Sequence, residues 1–248
     1  MSTEILSPRA TQRLNIFIKK VGRGINRHRM IEPGEKILIS VSGGKDSLAL
    51  CLALQKRKRW VPMDYQLHGL FIDWREYPAG AENRRRLVEF MDSLEIPFRI
   101  VEASIYPITY DKPFNCYICS RNRKRILFQE AERLGLSKVA VGHHLDDIIE
   151  TTLMNLFFKG EIATMLPVQD FFEGRIKIIR PMCEVEERDV LRLQKVYPLP
   201  VFDIHCPRKP NDQRAFFKDL IKQVKRLNKH VKENLYNAPR RINRDYLP

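Results

Sequence analysis

Residues 35–54, EKILISVSGGKDSLALCLAL, limit what this chain can fold into more than any other stretch, because a strand, a turn and a helix follow one another there in register. Ile37, Leu38, Ile39 and Val41 form a short apolar run between charged and glycine punctuation, the pattern of a parallel strand covered on both faces. Ser42, Gly43, Gly44, Lys45, Asp46 and Ser47 then turn the chain. Leu48, Leu50, Cys51, Leu52 and Leu54 follow too densely for a surface helix and predict one pressed against a sheet.

The turn itself has the chemistry of an anion cradle. Adjacent glycines let consecutive backbone N–H groups point to one side with no Cβ in the way, and the helix N-terminus adds the positive end of its dipole. Lys45 supplies a mobile cation, Ser42 and Ser47 supply hydroxyl donors, and Asp46 is a carboxylate able to hold a Mg2+ that bridges phosphate oxygens. The spacing is not that of a Walker A loop, which places four residues between its Gly and its Gly-Lys pair. The string SGGKDS instead resembles the signature of the PP-loop ATP pyrophosphatases, which split ATP between the α and β phosphates. A structural Gly-Gly turn is the competing reading, and the register of strand, turn and helix weighs against it.

With 248 residues and 44% apolar content, the chain can bury a full core. Lys and Arg number 44 against 30 Asp and Glu, a formal charge of +14 that favours a polyanionic partner over a merely soluble basic surface. No run of about 18 apolar residues is present to span a membrane, and the first residues lack the apolar centre of a secretory signal. Five cysteines, an odd number, are expected to be free thiols in a reducing compartment, the cytoplasm, where they bind metal, react or pack.

Along the rest of the chain, strand and helix patterns alternate. Residues 9–31 carry Leu14, Phe17, Ile18, Val21 and Ile25 at helical spacing, with arginines and lysines on the other faces. The basic face is either solvated or a contact for nucleic-acid phosphate. Residues 65–73 read as a second strand ending in Asp73, residues 81–94 as a crossover helix and residues 98–101 as a third strand. Residues 138–141 give another strand, followed by Gly142, His143, His144, Leu145, Asp146 and Asp147 at the start of a helix running to residue 158. Strand-end turns of neighbouring parallel strands converge, so this polar string is expected beside the glycine turn; a helix cap at Asp146 is the plainer alternative. Residues 175–181 read as the last strand, 185–197 as a charged helix, 199–206 as extended chain and 212–228 as a final helix before an irregular basic tail. The fold class is therefore α/β, a doubly wound, mostly parallel sheet with flanking helical segments. The expected division is a basic N-terminal segment (1–32), a nucleotide-binding catalytic domain (33–211) and a C-terminal helix and tail (212–248).

Cys116 and Cys119 form a C-x-x-C pair, and Cys206 lies far along the sequence. The pair alone fits zinc, an iron–sulfur cluster or a dithiol redox centre. The redox reading is the weaker, since the pair does not open the first helix after a strand in a thioredoxin-like pattern. Zinc needs a fourth ligand, for which His205 and Cys183 are candidates; three thiolates with one open position suit a cluster. Cys51 and Cys183 otherwise fit packing. Directly after Cys119 comes SRNRKR, either a solvated face or a phosphate-guiding strip near a reaction centre.

SGGKDS, C-x-x-C, GHHLDD and a third cysteine followed by Pro210, Gln213 and Arg214 together resemble the tRNA 2-thiocytidine synthetases, PP-loop enzymes that exchange the C2 oxygen of cytidine 32 in tRNA for sulfur. The resemblance extends over nearly the whole chain. It implies that residues 42–47 bind the ATP phosphates, with Lys45 stabilising charge on the pyrophosphate and Asp46 helping to hold Mg2+. It implies too that Cys116, Cys119 and Cys206 ligate a [4Fe–4S] cluster with one open iron, and that Gly142, Asp146 and Asp147 line the nucleotide site. The implied partners are tRNA and a sulfide or persulfide donor such as a cysteine desulfurase, with a homodimer unsurprising. One departure is that many members carry a fourth cysteine shortly before the third ligand, where this chain has Asp203. Five cysteines are too few for the paired zinc fingers of the 2-thiouridine branch plus a cluster. A PP-loop enzyme acting on another base, and a zinc-stabilised RNA-binding protein that catalyses nothing, are the competing functions.

Overall fold

The computed structural model describes residues 7–61, 63–106, 115–203, 212–243 and 245. A six-stranded sheet runs through the molecule in the order β3-β2-β1-β4-β6-β5. Its strands are β1 (Lys36–Val41), β2 (Gln66–Trp74), β3 (Phe98–Ala103), β4 (Lys138–Ala140), β5 (Val168–Phe171) and β6 (Ile176–Ile179). All neighbouring pairs are parallel except β5 with β6. The helices are α1 (Pro8–Arg27), α2 (Lys45–Arg57), α3 (Ala81–Ser93), α4 (Cys116–Arg133), α5 (Leu145–Lys159), α6 (Glu187–Gln194), α7 (Asp212–Leu227) and α8 (Val231–Asn237). None of the described helices is long and apolar enough to cross a membrane.

The sheet order decides where a ligand can go. From β1 the chain builds outwards through β2 and β3, then returns to the other side of β1 and builds outwards through β4 and β6. The reversal leaves a crevice beyond the carboxyl ends of β1 and β4, where open α/β sheets bind their ligands. Both polar strings, SGGKDS and GHHLDD, leave the sheet there.

Alternation along β1 feeds two cores. Ile37, Ile39 and Val41 join one apolar cluster, and Leu38 between them joins the other. A strand buried on both faces therefore reads as a continuous apolar run although its side chains still alternate. The larger cluster takes the inner faces of α1 and α2, with residues 48–54 fully buried, and is completed by Val190 and Leu193 of α6 and by Phe217 and Ile221 of α7. The other face is covered by α4 through Ile126, Leu127, Phe128 and Ala131.

Two elements differ from the sequence expectation. Residues 168–171 form β5, a short antiparallel edge strand whose half-buried pattern carries little apolar signal. Residues 231–237, read as part of the run-out to an irregular tail, form α8, anchored by buried Val231 and Tyr236. The described part of the 199–206 segment, residues 199–203, is extended without joining the sheet.

Candidate active site at the strand ends

The glycine turn presents an open helix end. Gly44 is the N-cap of α2, and no side chain caps the first-turn amides. The two serines close the turn on itself. Ser47 Oγ accepts from the Ser42 N–H at 3.0 Å, lies 3.1 Å from Ser42 Oγ, and donates to the Gly44 carbonyl at 3.0 Å. In this state their hydroxyls shape the loop and take up the Ser42 and Gly44 N–H groups, leaving the first-turn amides of α2 without a side-chain cap. Gly43 has φ +78°, and a Cβ there would lie 2.4 Å from Cζ of Phe202, whose own N–H donates to the Gly43 carbonyl at 3.2 Å. The segment that precedes Cys206 is thereby laid directly on the phosphate loop. Gly142 is required for a different reason: a Cβ would stand 3.0 Å from the Ser47 nitrogen and 3.1 Å from the Asp46 carbonyl carbon, so only glycine lets the β4–α5 turn close on the start of α2.

Charged side chains from five helices, α2, α5, α6, α7 and α8, meet around this junction. Lys45 Nζ lies 3.0 Å from Asp46 Oδ2 and 3.5 Å from Glu187 Oε1. Burial works against the Lys45 charge, but Asp46 and Glu187 outweigh it and hold the ammonium above its usual range. Glu187 also receives Lys218 at 2.5 Å; burial pushes its carboxyl up, and the two lysines bring it below the ordinary value. Arg214 reaches Asp147 Oδ1 at 3.2 Å and Glu150 at 3.5 Å. Lys232 pairs with both Asp146 and Glu186, and the second Asp146 oxygen accepts the Glu187 N–H at 2.7 Å.

The cap at α5 is made by His144 and not by Asp146. His144 Nδ1 accepts from the Asp147 N–H, and Asp147 Oδ2 accepts from the His144 N–H, a reciprocal capping box. Acceptance at Nδ1 puts the proton of the neutral ring on Nε2, 3.8 Å from Asp46 Oδ1. Asp46 Oδ1 and His143 Nδ1 are both sealed from solvent and, among the described residues, neither has a hydrogen-bond partner. Buried orphans of this kind mark a place where a ligand completes the polar pairing. His143 as a whole is partly exposed, yet loss of hydration drives its pKa down to about 4, with Arg180 and Arg214 adding to the effect against Asp147.

Cys116 and Cys119 stand on the first turn of α4, which begins at the same carboxyl edge of the sheet as the glycine turn. Cys116 is exposed; Cys119 is buried, with its Sγ 3.4 Å from the Tyr77 hydroxyl. Asn115 caps the helix, its Oδ1 accepting from the Tyr117 and Ile118 N–H groups at 2.8 and 3.3 Å. From the next turn Arg123 reaches a small cavity that it shares with Ser42, Phe71 and Trp74, so α4 and the glycine turn are neighbours. Cys206 and His205 lie outside the described residues, and among those described no three His, Cys, Asp or Glu side chains gather to hold a metal. Cys183 is packed against α1 at Gly24, where burial pushes its thiol up to about 11, and does not stand with the pair; Cys51 is buried within α2. Asp73 is turned inward as well, accepting the Ala79 N–H at 2.8 Å and pairing with Arg84 at 2.5 Å, so it braces the β2–α3 turn.

The residues fit the groups they are expected to hold. Asp46 offers a buried, unpaired carboxylate oxygen beside the uncapped helix end, as a hard oxygen-liganded cation bridging phosphates requires. Cys116 and Cys119, three apart in sequence on the first turn of one helix, are spaced as two ligands to one centre would be. Glu186, Glu187, Lys218 and Lys232 escaped the sequence reading, because each sits in a charged helix segment that reads as solvated surface. Only the strand order brings them to β1.

A family model described as the PP-loop domain matches residues 7–219. A tRNA-cytidine(32) 2-sulfurtransferase of Neisseria meningitidis serogroup A is 35% identical over 82% of this chain, and the chain spans 64% of that relative's length. The enzyme of the same description from Burkholderia multivorans is 32% identical over 90% of this chain and 68% of its own. Among solved structures, the U34-tRNA thiolase NcsA from Methanococcus maripaludis with its [4Fe-4S] cluster superposes with TM-score 0.72 over 92% of this chain and 78% of that one, at 21% identity. That likeness is one of fold.

Proposed function

From the premise that this chain belongs to the PP-loop family, and within it to the tRNA-cytidine(32) 2-sulfurtransferases, we propose that it is an ATP-dependent tRNA sulfurtransferase that forms 2-thiocytidine at position 32. One juxtaposition carries the reading: the uncapped, cation-flanked end of α2 and the thiol pair at the start of α4 meet at one carboxyl edge of the sheet, where Arg123 of α4 lines a cavity with Ser42 of the glycine turn. ATP chemistry and sulfur chemistry then act on one substrate atom.

The C2 oxygen of cytosine is a poor leaving group. Transfer of the ATP α-phosphoryl group to it releases pyrophosphate and makes the oxygen part of AMP. Sulfide then forms the C2–S bond, the C2–O bond breaks, and AMP departs with the oxygen; no external electrons are consumed. Lys45 and the open amides of α2 hold the phosphates and take up the charge that develops on pyrophosphate. Asp46 Oδ1 is the place for Mg2+, which when bound neutralises phosphate charge. Cys116, Cys119 and Cys206 would hold the [4Fe–4S] cluster, whose contribution when bound is an iron free to present sulfur. The Phe202–Gly43 hydrogen bond keeps the segment leading to Cys206 on the nucleotide loop. A cysteine desulfurase or other sulfide or persulfide source is the expected donor, and the cytoplasm the expected place.

The test is reconstitution under anaerobic conditions. Protein with about four irons and four sulfides per chain is incubated with tRNA, ATP, Mg2+ and sulfide, and the nucleosides are read by mass spectrometry. The expected result is 2-thiocytidine at position 32 with one AMP formed per sulfur incorporated, lost in Asp46→Asn and Cys206→Ala. Full thiolation by either variant, or one zinc and no iron after reconstitution, overturns the proposal.

A further inference from the structure

A groove of 890 Å³ runs along the outer flank of α4, from Tyr117 at the cysteine turn to Ser137 at the far end of the helix, with the β5–β6 turn as its opposite wall. It exists because α4 covers its face of the sheet by itself among the described helices, so its flank meets only the turn of a short edge hairpin. Resting on the sulfurtransferase reading above, we propose that this groove is the docking track for a single-stranded stretch of the RNA substrate, leading an unpaired base to the Cys116–Cys119 turn.

Charge supports this occupant. The groove is rimmed by Arg121, Lys124, Arg125 and Arg175, against a single acid, Glu132. Among the described residues none of the four cations forms an ion pair, whereas at the nucleotide site Lys45, Arg214, Lys218 and Lys232 are all paired with carboxylates. Three cations along α4 facing a fourth on the opposite wall, none held by a carboxylate among the described residues, are suited to the phosphates of a nucleic-acid strand.

Aromatic surface supports it further. Phe172 projects from the β5–β6 turn with 52% of its surface exposed, its ring edge-on to Phe128 at 5.4 Å and Arg175 stacked over it at 5.9 Å. Its backbone is left-handed, φ +52°, a conformation that hairpin turns ordinarily give to Gly or Asn. At the other end Tyr117, between the two cysteines, is 72% exposed. Cations flanked by exposed rings suit the sequence-tolerant platform on which unstacked bases lie. Such a track is separate from the acid-lined nucleotide site, which would repel a second polyanion once ATP is bound.

The experiment uses the full chain and an unmodified tRNA transcript, with Arg121→Glu/Arg125→Glu and Phe172→Ala compared with wild type. Fluorescence anisotropy gives tRNA affinity over a salt series, nucleotide titration gives ATP affinity, and sedimentation velocity gives the oligomeric state. The double reversal should weaken tRNA binding at least tenfold and flatten the slope of log K against log salt by about 1.4, roughly 0.7 for each lost contact to a single strand. Phe172→Ala should weaken binding about fivefold with the slope unchanged, since stacking carries no counterion release. ATP affinity should not move in either, and thiolation should show a raised KM for tRNA with kcat retained. Wild type that binds and thiolates tRNA while both variants bind it equally well overturns the groove and leaves the sulfurtransferase reading standing. A change of oligomeric state in the variants overturns it too, assigning the groove to a second copy of the chain, and wild type that binds no tRNA overturns both readings.

Discussion

The helices α2 and α4 cover opposite faces of the sheet but begin at the same carboxyl edge, and their first turns are finished in opposite ways. At α2 the N-cap is glycine, no side chain meets the leading amides, and the serines nearby bond to each other and to the loop. At α4 the N-cap is Asn115, which accepts from two amides at once. The difference decides what each end can bind. Free amides with the dipole behind them attract phosphate, whereas satisfied amides leave the α4 turn to present its side chains, a thiol pair and an exposed tyrosine. The adjacent start of α5 is closed as well, by His144 and Asp147, so of the three helix starts α2, α4 and α5 only α2 is open to an anion.

The strongest way to break this comparison is to remove the charges at the open end. Lys45→Ala and Asp46→Asn are expected to lower kcat/KM for ATP-dependent thiolation by about 100-fold or more, the scale of losing a donor that stabilises transition-state charge. Circular dichroism melting should be little changed, since both side chains are partly exposed. Retained activity would show that the open amides of α2 are not where the phosphates sit. Gly142→Ala comes next. The methyl meets backbone at 3.0 Å, so α2 and the β4–α5 turn must separate, at about 1–3 kcal/mol of stability in urea unfolding. Weaker ATP binding should accompany that loss.

How visible these features were in the amino acids depends on whether their cause is local. The strand, the glycine turn and the buried helix of residues 35–54 are set by neighbours in sequence, by apolar density and by the lack of a Cβ, and could be read directly. GHHLDD could be placed beside the loop because parallel strand ends converge, yet the plainer alternative of a cap at Asp146 names the wrong side chain, since His144 makes the cap and that depends on side-chain direction. Lys232 and Glu187 are 86 and 41 residues from Asp146, and only the order β1-β4-β6 makes them its partners. Phe202 on Gly43 is of the same kind: nothing in LPVFDIHC announces that its phenylalanine lies on a phosphate loop 159 positions earlier. β5 was missed because an edge strand with one half-buried face has too weak an alternation to stand out.

A pH series sharpens the closed end at α5. The folded pKa of His143, about 4, lies below the ordinary 6.5, so the unfolded chain binds the proton more readily between those values. This contribution to stability is complete above pH 6.5 and is lost as pH falls towards 4. His143→Asn should flatten that part of the stability curve in denaturant midpoints. An unchanged curve would mean that His143 is hydrated in solution.

The smallest effect is expected at the capped end of α4. Asn115→Ala removes the acceptor for the Tyr117 and Ile118 amides and should cost about 1 kcal/mol, seen as a fall of about 2–4 °C in Tm for a chain of this size. ATP affinity should stay at the wild-type value, because the exposed amides of α4 lack the lysine, the glycines and the buried carboxylate that surround α2. The contrast therefore rests on the nucleotide titration more than on the melting curve. A Tm drop with constant ATP affinity keeps α4 as a platform for thiols, while tighter ATP binding in Asn115→Ala would mean that uncapping alone makes a phosphate site and that the side chains around α2 matter less than its free N–H groups.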